Sequence, residues 1–186
     1  SYSIWPTQSK NKNLLIFIHG TGAHKKWWYP IAPQFINYSN VIAIDLPGMG
    51  DSGFRQKYSI KDFGQCVISI IEKEQSNLDI DNIFIVGHSL GGQVAGYVAS
   101  EEKELVSNLI MIDTFIRPPD WDPSQNEGGP LRMIKYYSDK TTILKRFRLL
   151  PQQECENEWF VRYIAEHSVK QTEEGWRWKF DDSMFN

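Results

Sequence analysis

Cysteine is scarce in this chain, with only Cys66 and Cys155 among 186 residues. The first falls on the apolar side of an expected helix, and the second sits between acids in Glu154-Cys155-Glu156. Two such thiols read as unrelated and free, which excludes a disulfide-stapled scaffold and fits a reducing compartment. An excess of one charge is missing as well. The 20 Lys and Arg stand against 23 Asp and Glu, a net charge of −3, without the basic stripe that marks a nucleic-acid partner. No apolar run has the length to cross a bilayer; Leu14 to Ile18 is typical of those present, and no membrane partner is expected. The first residues form no basic-then-apolar leader, so the expectation is a cytoplasmic protein. Internal repeats and low-complexity tracts are also wanting. What remains is a chain 41% hydrophobic and long enough for one globular domain with a substantial core.

Four short runs rich in β-branched residues read as strands: Leu14 to Ile18, Val41 to Ile44, Ile83 to Val86 and Leu109 to Ile112. None alternates polar with apolar, which is the texture of strands buried on both faces of a parallel sheet. Between the second and third, Ser59 and Asp62 have capping-box spacing, and Phe63, Cys66, Val67, Ile70 and Ile71 share one helical face. After the third strand, Leu90 to Ser100 carries Gly91, Gly92, Ala95, Gly96 and Ala99, small enough to let a helix approach a sheet closely. This alternation predicts an α/β domain with a mostly parallel sheet and right-handed crossovers. Past Asp113 the texture changes. Prolines 118, 119, 123 and 130 interrupt the pattern, and Arg132 to Tyr137, Thr142 to Leu149 and Glu158 to His167 read as short helices. The expected division is a core over 1–114, a helical cap or lid over 115–175, and a return segment over 176–186, with the tryptophans at 121, 159, 176 and 178 shared between packing and a pocket wall.

The chemistry-bearing motif is Gly87-His88-Ser89-Leu90-Gly91, entered directly from a strand and left directly into a helix. In that setting G-x-S-x-G reads as a nucleophile elbow. The turn is so sharp that glycines must flank it, and it lifts the Ser89 hydroxyl off the C-terminal edge of the sheet, where open α/β sheets bind ligands. The helix start behind it aims N–H groups and partial positive charge at developing negative charge. After the first strand, His19-Gly20-Thr21-Gly22 is a loop suited to supply a second oxyanion-hole N–H, from Thr21, opposite that of Leu90. His19 is expected to organise that loop rather than carry protons, and His24 to line the entrance. Asp45-Leu46-Pro47-Gly48-Met49-Gly50-Asp51-Ser52 reads as a rigid turn walling the pocket. Asp113, at a strand end, is the candidate acid, while His167 has no strand leading to it. No metal or other cofactor is implied.

Taken in order, His-Gly-Thr-Gly, Asp-Leu-Pro-Gly-Met-Gly-Asp-Ser and Gly-His-Ser-Leu-Gly-Gly resemble the α/β-hydrolase family, in its serine-nucleophile, cap-bearing form, and Gly175 to Asp181 is similar to a segment that leaves the cap in many members. The resemblance implies a three-layer fold with a helical cap and hydrolysis of a small carboxylic ester or related acyl substrate through a Ser89 acyl-enzyme. Thioester or carbon–carbon bond hydrolysis, and a non-catalytic ligand-binding homologue, are the alternatives it leaves open. It also implies opening antiparallel strands, mostly absent before Leu14, and two further strands carrying an acid and a histidine, so the expectation is a fold incomplete at both ends. The Leu109 to Ile112 strand would then lie at a sheet edge, unless the Glu158 to His167 helix covers it.

Overall fold

In a computed structural model of the chain, the described residues are 1–116, 135–149 and 152–185. Strand β1 spans Tyr2–Trp5, and each of the four apolar runs forms a strand that begins at the asparagine preceding it: β2 Asn13–Ile18, β3 Asn40–Ile44, β4 Asn82–His88 and β5 Asn108–Ile112. They form one sheet in the order β1-β3-β2-β4-β5, parallel except for β1, which runs antiparallel to β3 with Tyr2 opposite Ile44. An opening antiparallel strand is therefore present, contrary to the expectation of little before Leu14. It is four residues long and stops before Pro6, too short for periodicity to register.

Successive side chains of a strand face opposite sides of the sheet, and β2 sorts its residues accordingly. Leu14, Ile16 and Ile18 join the core beneath two helices, α1 (Ile60–Asn77) and α2 (Leu90–Glu101). Leu15 and Phe17 pack on the other face against Ala32, Trp28 and Ile36, and the Phe17 and Trp28 rings stack at 4.7 Å. That face is covered by 3-10 turns over Lys25–Trp27 and Ala32–Phe35, so the third layer is a pair of turns among the described residues. Ser59 starts α1 by accepting the Asp62 N–H at 3.1 Å while its hydroxyl donates to the Asp62 carboxylate at 2.6 Å. Phe63, Val67, Ile68 and Ile71 are the apolar residues that α1 buries, with Cys66 and Ile70 half-buried beside them. Both cysteines are free thiols.

The second region is smaller and more polar. Helix α3 spans Lys140–Leu144, earlier and shorter than the expected Thr142 to Leu149, because the Asp139 carboxylate caps it by accepting the Thr142 N–H at 2.8 Å. Helix α4 occupies Glu158–His167 as its pattern predicts. Strands β6 (Val169–Thr172) and β7 (Gly175–Trp178) form a hairpin where the sequence shows no strong strand signal. Tyr137 bridges to Trp176 instead of ending a helix; residues 132–134 of that expected helix, and Trp121, lie outside the described residues. Trp178 packs on Phe147 at 6.1 Å, whereas Trp159 is exposed and stacks on Tyr163. Helix α4 packs against β6 and the 25–27 turn, and among the described residues β5 is an edge strand, with Ile110 54% exposed. No helix among the described residues is long and apolar enough to cross a membrane.

Candidate active site

Strand register builds the site. Ile18 at the end of β2 pairs with Gly87 near the end of β4, so the loop from His19 to Gly22 runs beside the turn from His88 to Leu90. The chain also reverses its direction of winding here: β3 lies to one side of β2, and β4 and β5 to the other. Such a switch point is where an open α/β sheet leaves a crevice at its carboxyl edge. The two loops touch closely, since a Cβ added to Gly20 would lie 3.1 Å from the Ser89 Cβ.

Ser89 occupies φ 51°, ψ −119°, a left-handed conformation that costs a non-glycine residue on the order of 1–3 kcal/mol. Neighbouring structure holds it there. Its N–H donates to the Ile112 carbonyl at 3.0 Å, extending the β4–β5 ladder, and its own carbonyl accepts the Gly92 N–H at 2.9 Å as α2 begins. The flanking glycines are required by close approach: a Cβ on Gly87 would sit 2.2 Å from the Gly91 carbonyl oxygen, and one on Gly91 would sit 2.4 Å from that of Ile18. Ser89 thus heads the 12-residue α2, whose first N–H groups lack intrahelical partners. Among the described residues, no acceptor takes the N–H of Thr21 or of Leu90.

Three of the four histidines are engaged elsewhere. His19 is buried; its Nδ1–H donates to the Gly20 carbonyl at 2.8 Å while Nε2 accepts the Leu46 N–H at 3.1 Å. Both nitrogens are therefore used in tying the 19–22 loop to the 45–52 turn, and burial lowers the ring's pKa. His24 is buried as well rather than lining an entrance, because its Nε2 meets the Ser168 hydroxyl at 3.0 Å, at the end of α4. Burial, reinforced by the nearby His19, lowers its pKa to about 3. His167 donates Nδ1–H to the Tyr163 carbonyl at 2.7 Å. Among the described residues, none of the four histidines is hydrogen-bonded to Ser89. Asp113 follows β5 with φ 46°; because Ile112 pairs with His88, it lies beside the elbow, exposed and bonded to no histidine among the described residues.

The 45–52 turn is rigid for an electrostatic reason. Asp45 is buried and accepts the Lys25 N–H at 2.7 Å, the Asp51 N–H at 3.0 Å and the Lys25 ammonium. Burial pushes its pKa up, but these donors outweigh burial and hold the carboxyl below its ordinary range. Asp51 bridges Lys25 at 2.9 Å and Lys179 at 2.6 Å. Against the opposing effect of burial, those two ammonium groups also hold its carboxyl below the usual carboxylate range. The Tyr58 hydroxyl donates to Asp181 at 2.5 Å, and the Asp181 N–H donates to the Gly48 carbonyl at 2.7 Å. These ties fasten the segment after β7 to the turn beside the site. Sequence reading missed them, since charges 128 positions apart leave no local signal.

A family model described as alpha/beta hydrolase fold matches residues 13–149. A pimeloyl-[acyl-carrier protein] methyl ester esterase of Pseudoalteromonas atlantica is 31% identical over 131 residues, 66% of this chain and 48% of that protein. A soluble epoxide hydrolase of a Corynebacterium species is 32% identical over 104 residues, covering 53% of this chain and 34% of its own length. The chain thus spans about half, or less, of the length of these curated relatives. A solved structure of a putative hydrolase from Rickettsia typhi superposes with a TM-score of 0.78 over 99% of this chain and 65% of that one; at 23% identity the likeness is one of fold.

Proposed function

This chain belongs to the α/β-hydrolase fold family, and on that premise we propose that it is a serine-dependent hydrolase of a carboxylic ester or related acyl bond, with Ser89 as nucleophile. The observation that carries this reading is the left-handed backbone of Ser89 between β4 and α2, strain that a structural turn has no reason to keep on a serine. The hydroxyl attacks the substrate carbonyl, its proton passes to a general base, and the oxygen that becomes negative is stabilised by the N–H groups of Thr21 and Leu90 with the start of α2 behind them. Collapse expels the alcohol, which takes the proton back from the base, and leaves Ser89 acylated; water, giving a proton to the base, then adds to the acyl carbon, and the acid departs as the Ser89 oxygen regains that proton. Asp113, beside the elbow, is the candidate acid to orient the base. Because none of the four histidines is hydrogen-bonded to Ser89 among the described residues, we assign the base to a part of the protein outside the described residues. We assign the cap role to residues 115–175, whose described part docks on the site-side turn through α4 and the hairpin, and we place the protein in the cytoplasm with a small-molecule substrate.

A second reading, a binding protein built on the same scaffold, is favoured by one specific observation: no histidine bonds to Ser89 among the described residues. A fluorophosphonate probe separates the two. Full-length protein with a serine hydrolase site labels at Ser89 and turns over a p-nitrophenyl acyl ester. The Ser89→Ala variant folds normally, loses labelling, and keeps under ~1% of turnover, the scale on which removing a catalytic serine acts. Folded full-length protein that never labels supports the binding reading.

A further inference from the structure

A cleft of about 930 Å³ opens beside the two N–H groups assigned above, with Thr21 and Leu90 in its wall. That is within the size range of small-ligand sites. Its other walls come from the start of α1, from α2, and from the end of β5 with the residues after it. The apolar lining is Ile60, Phe63, Met111, Phe115, Ile116 and Met184, and no described residue that lines it carries a formal charge. Three of the polar side chains in the wall, those of Tyr58, Ser59 and Gln93, already hydrogen-bond to protein. The Tyr58 hydroxyl donates to Asp181 at 2.5 Å and accepts the Arg55 N–H at 2.8 Å, Ser59 exchanges two hydrogen bonds with Asp62, and Gln93 Nε2 donates to the Phe115 carbonyl at 3.0 Å. An occupant rich in hydroxyls or charges would lose its water and find few partners here, which is unfavourable. An alkyl or aryl chain loses nothing by entering and gains burial.

We propose that this cleft holds the acyl chain of the substrate, and that the chain is uncharged and apolar along its length. The assignment rests on the Ser89 reading, because Leu90 is shared by the elbow and the cleft wall. Gly96 is part of the wall, on the face of α2 that meets β5. A Cβ there would lie 3.6 Å from the Met111 Cε, ordinary contact, so one methyl group fits and a larger side chain must displace Met111 or enter the cleft. Esters of medium-length aliphatic or aryl acids fit this description; half-esters with a free carboxylate at the far end, sugar esters and phosphorylated acids do not.

The test uses ligands that require no turnover. Octanamide, and the same eight-carbon amide ending in a carboxylate, are titrated by calorimetry into full-length Ser89→Ala protein. Octanamide is expected to bind at least about tenfold more tightly, since the terminal carboxylate must be desolvated without a partner. Adding Gly96→Leu, whose further carbons must displace the Met111 side chain or enter the cleft, is expected to weaken octanamide about tenfold in the folded variant, while Gly96→Ala changes it by under about twofold. Failure of octanamide to bind, equal affinity for the two amides, or indifference to Gly96→Leu in a folded variant each overturns the cleft assignment. Loss of the Ser89 reading looks different: octanamide binds and responds to Gly96→Leu, yet the wild-type serine never labels with a fluorophosphonate.

Discussion

Residues 1–116 and residues 135–185 are held in place by different physics. Of the 26 buried apolar residues among those described, all but Ile143, Ile164, Ala165 and Val169 lie in the first region. Its sheet needs no ion pairs to cohere, because β3 alone sets Val41, Ile42, Ala43 and Ile44 at 1% exposure or less. The second region has a smaller buried core, and beside the apolar contacts of Phe180 and Met184 with the first region it is fastened there by polar ties: His24 to Ser168, Asp51 to Lys179 and Tyr58 to Asp181. Apolar burial is non-directional and tolerates small shifts, whereas hydrogen bonds and ion pairs fix position. Ties of this kind can be broken one at a time, so the second region can open locally while the sheet stays intact.

Core substitutions should show the contrast most strongly. Ile42→Ala is expected to lower the global unfolding free energy by about 2–5 kcal/mol, read as a lower urea midpoint at unchanged slope. Ile164→Ala removes a side chain just as deeply buried, yet it should chiefly speed hydrogen exchange in residues 135–185 and leave the slowest sheet amides protected. Equal loss of protection in both regions would mean that they unfold as one unit, and the comparison would fail.

Acid should loosen the second region first. His24 stays neutral in the folded chain until about pH 3, whereas in the unfolded chain the ring protonates near its ordinary 6.5. Between those values the unfolded state binds the additional proton, so stability falls as pH falls, by up to about 1.4 kcal/mol per unit for this group. Asp51 acts lower down. Its folded pKa is depressed, so its contribution is complete above the ordinary carboxylate value and is lost only as pH drops through the folded one. Urea midpoints of wild type and His24→Gln, compared at pH 7 and pH 4.5, check this. The variant keeps a polar partner for Ser168, cannot protonate, and should show the shallower decline; parallel curves would remove His24 from the account.

How much of this was legible in the sequence follows the same division. The four apolar runs and the Gly87 to Gly91 turn are local signals, since strand texture and elbow chemistry are each contained in a few adjacent residues. The texture did not reveal position within the sheet: Leu109 to Ile112 reads like Val41 to Ile44, yet in the described structure it forms an edge whose Ile110 is more than half exposed. Reading it as an edge needed the family resemblance and a count of strands. The hairpin from Val169 to Trp178 was hard to read because its strands are only four residues long, although Val169, Thr172, Trp176 and Trp178 are strand formers and the aromatics alternate with bases after Gly175. Tyr58 and Asp181 meet across 123 positions, and only a folded chain shows that.

The smallest expected effect isolates position from mere presence of charge. Arg162 and Glu166 form an i,i+4 pair at 2.9 Å on the outer side of α4, with the arginine side chain 82% exposed. Water screens such a pair and both side chains lose rotamer freedom to make it, so its contribution is about 0.3–0.5 kcal/mol. Lys179 pairs with Asp51, which also holds Lys25; its side chain is 19% exposed and it joins the two regions. Arg162→Ala should therefore leave the urea midpoint nearly unchanged and should leave hydrogen exchange in β6 and β7 as it was. Lys179→Ala should accelerate exchange there, because it frees the segment that follows the hairpin from the 45–52 turn. The two variants remove the same formal charge from the same region, which makes them controls for each other at low and high salt. If both variants sped exchange equally, net charge rather than the docking contact would be holding the second region, and the ties drawn between the two bodies would lose their meaning.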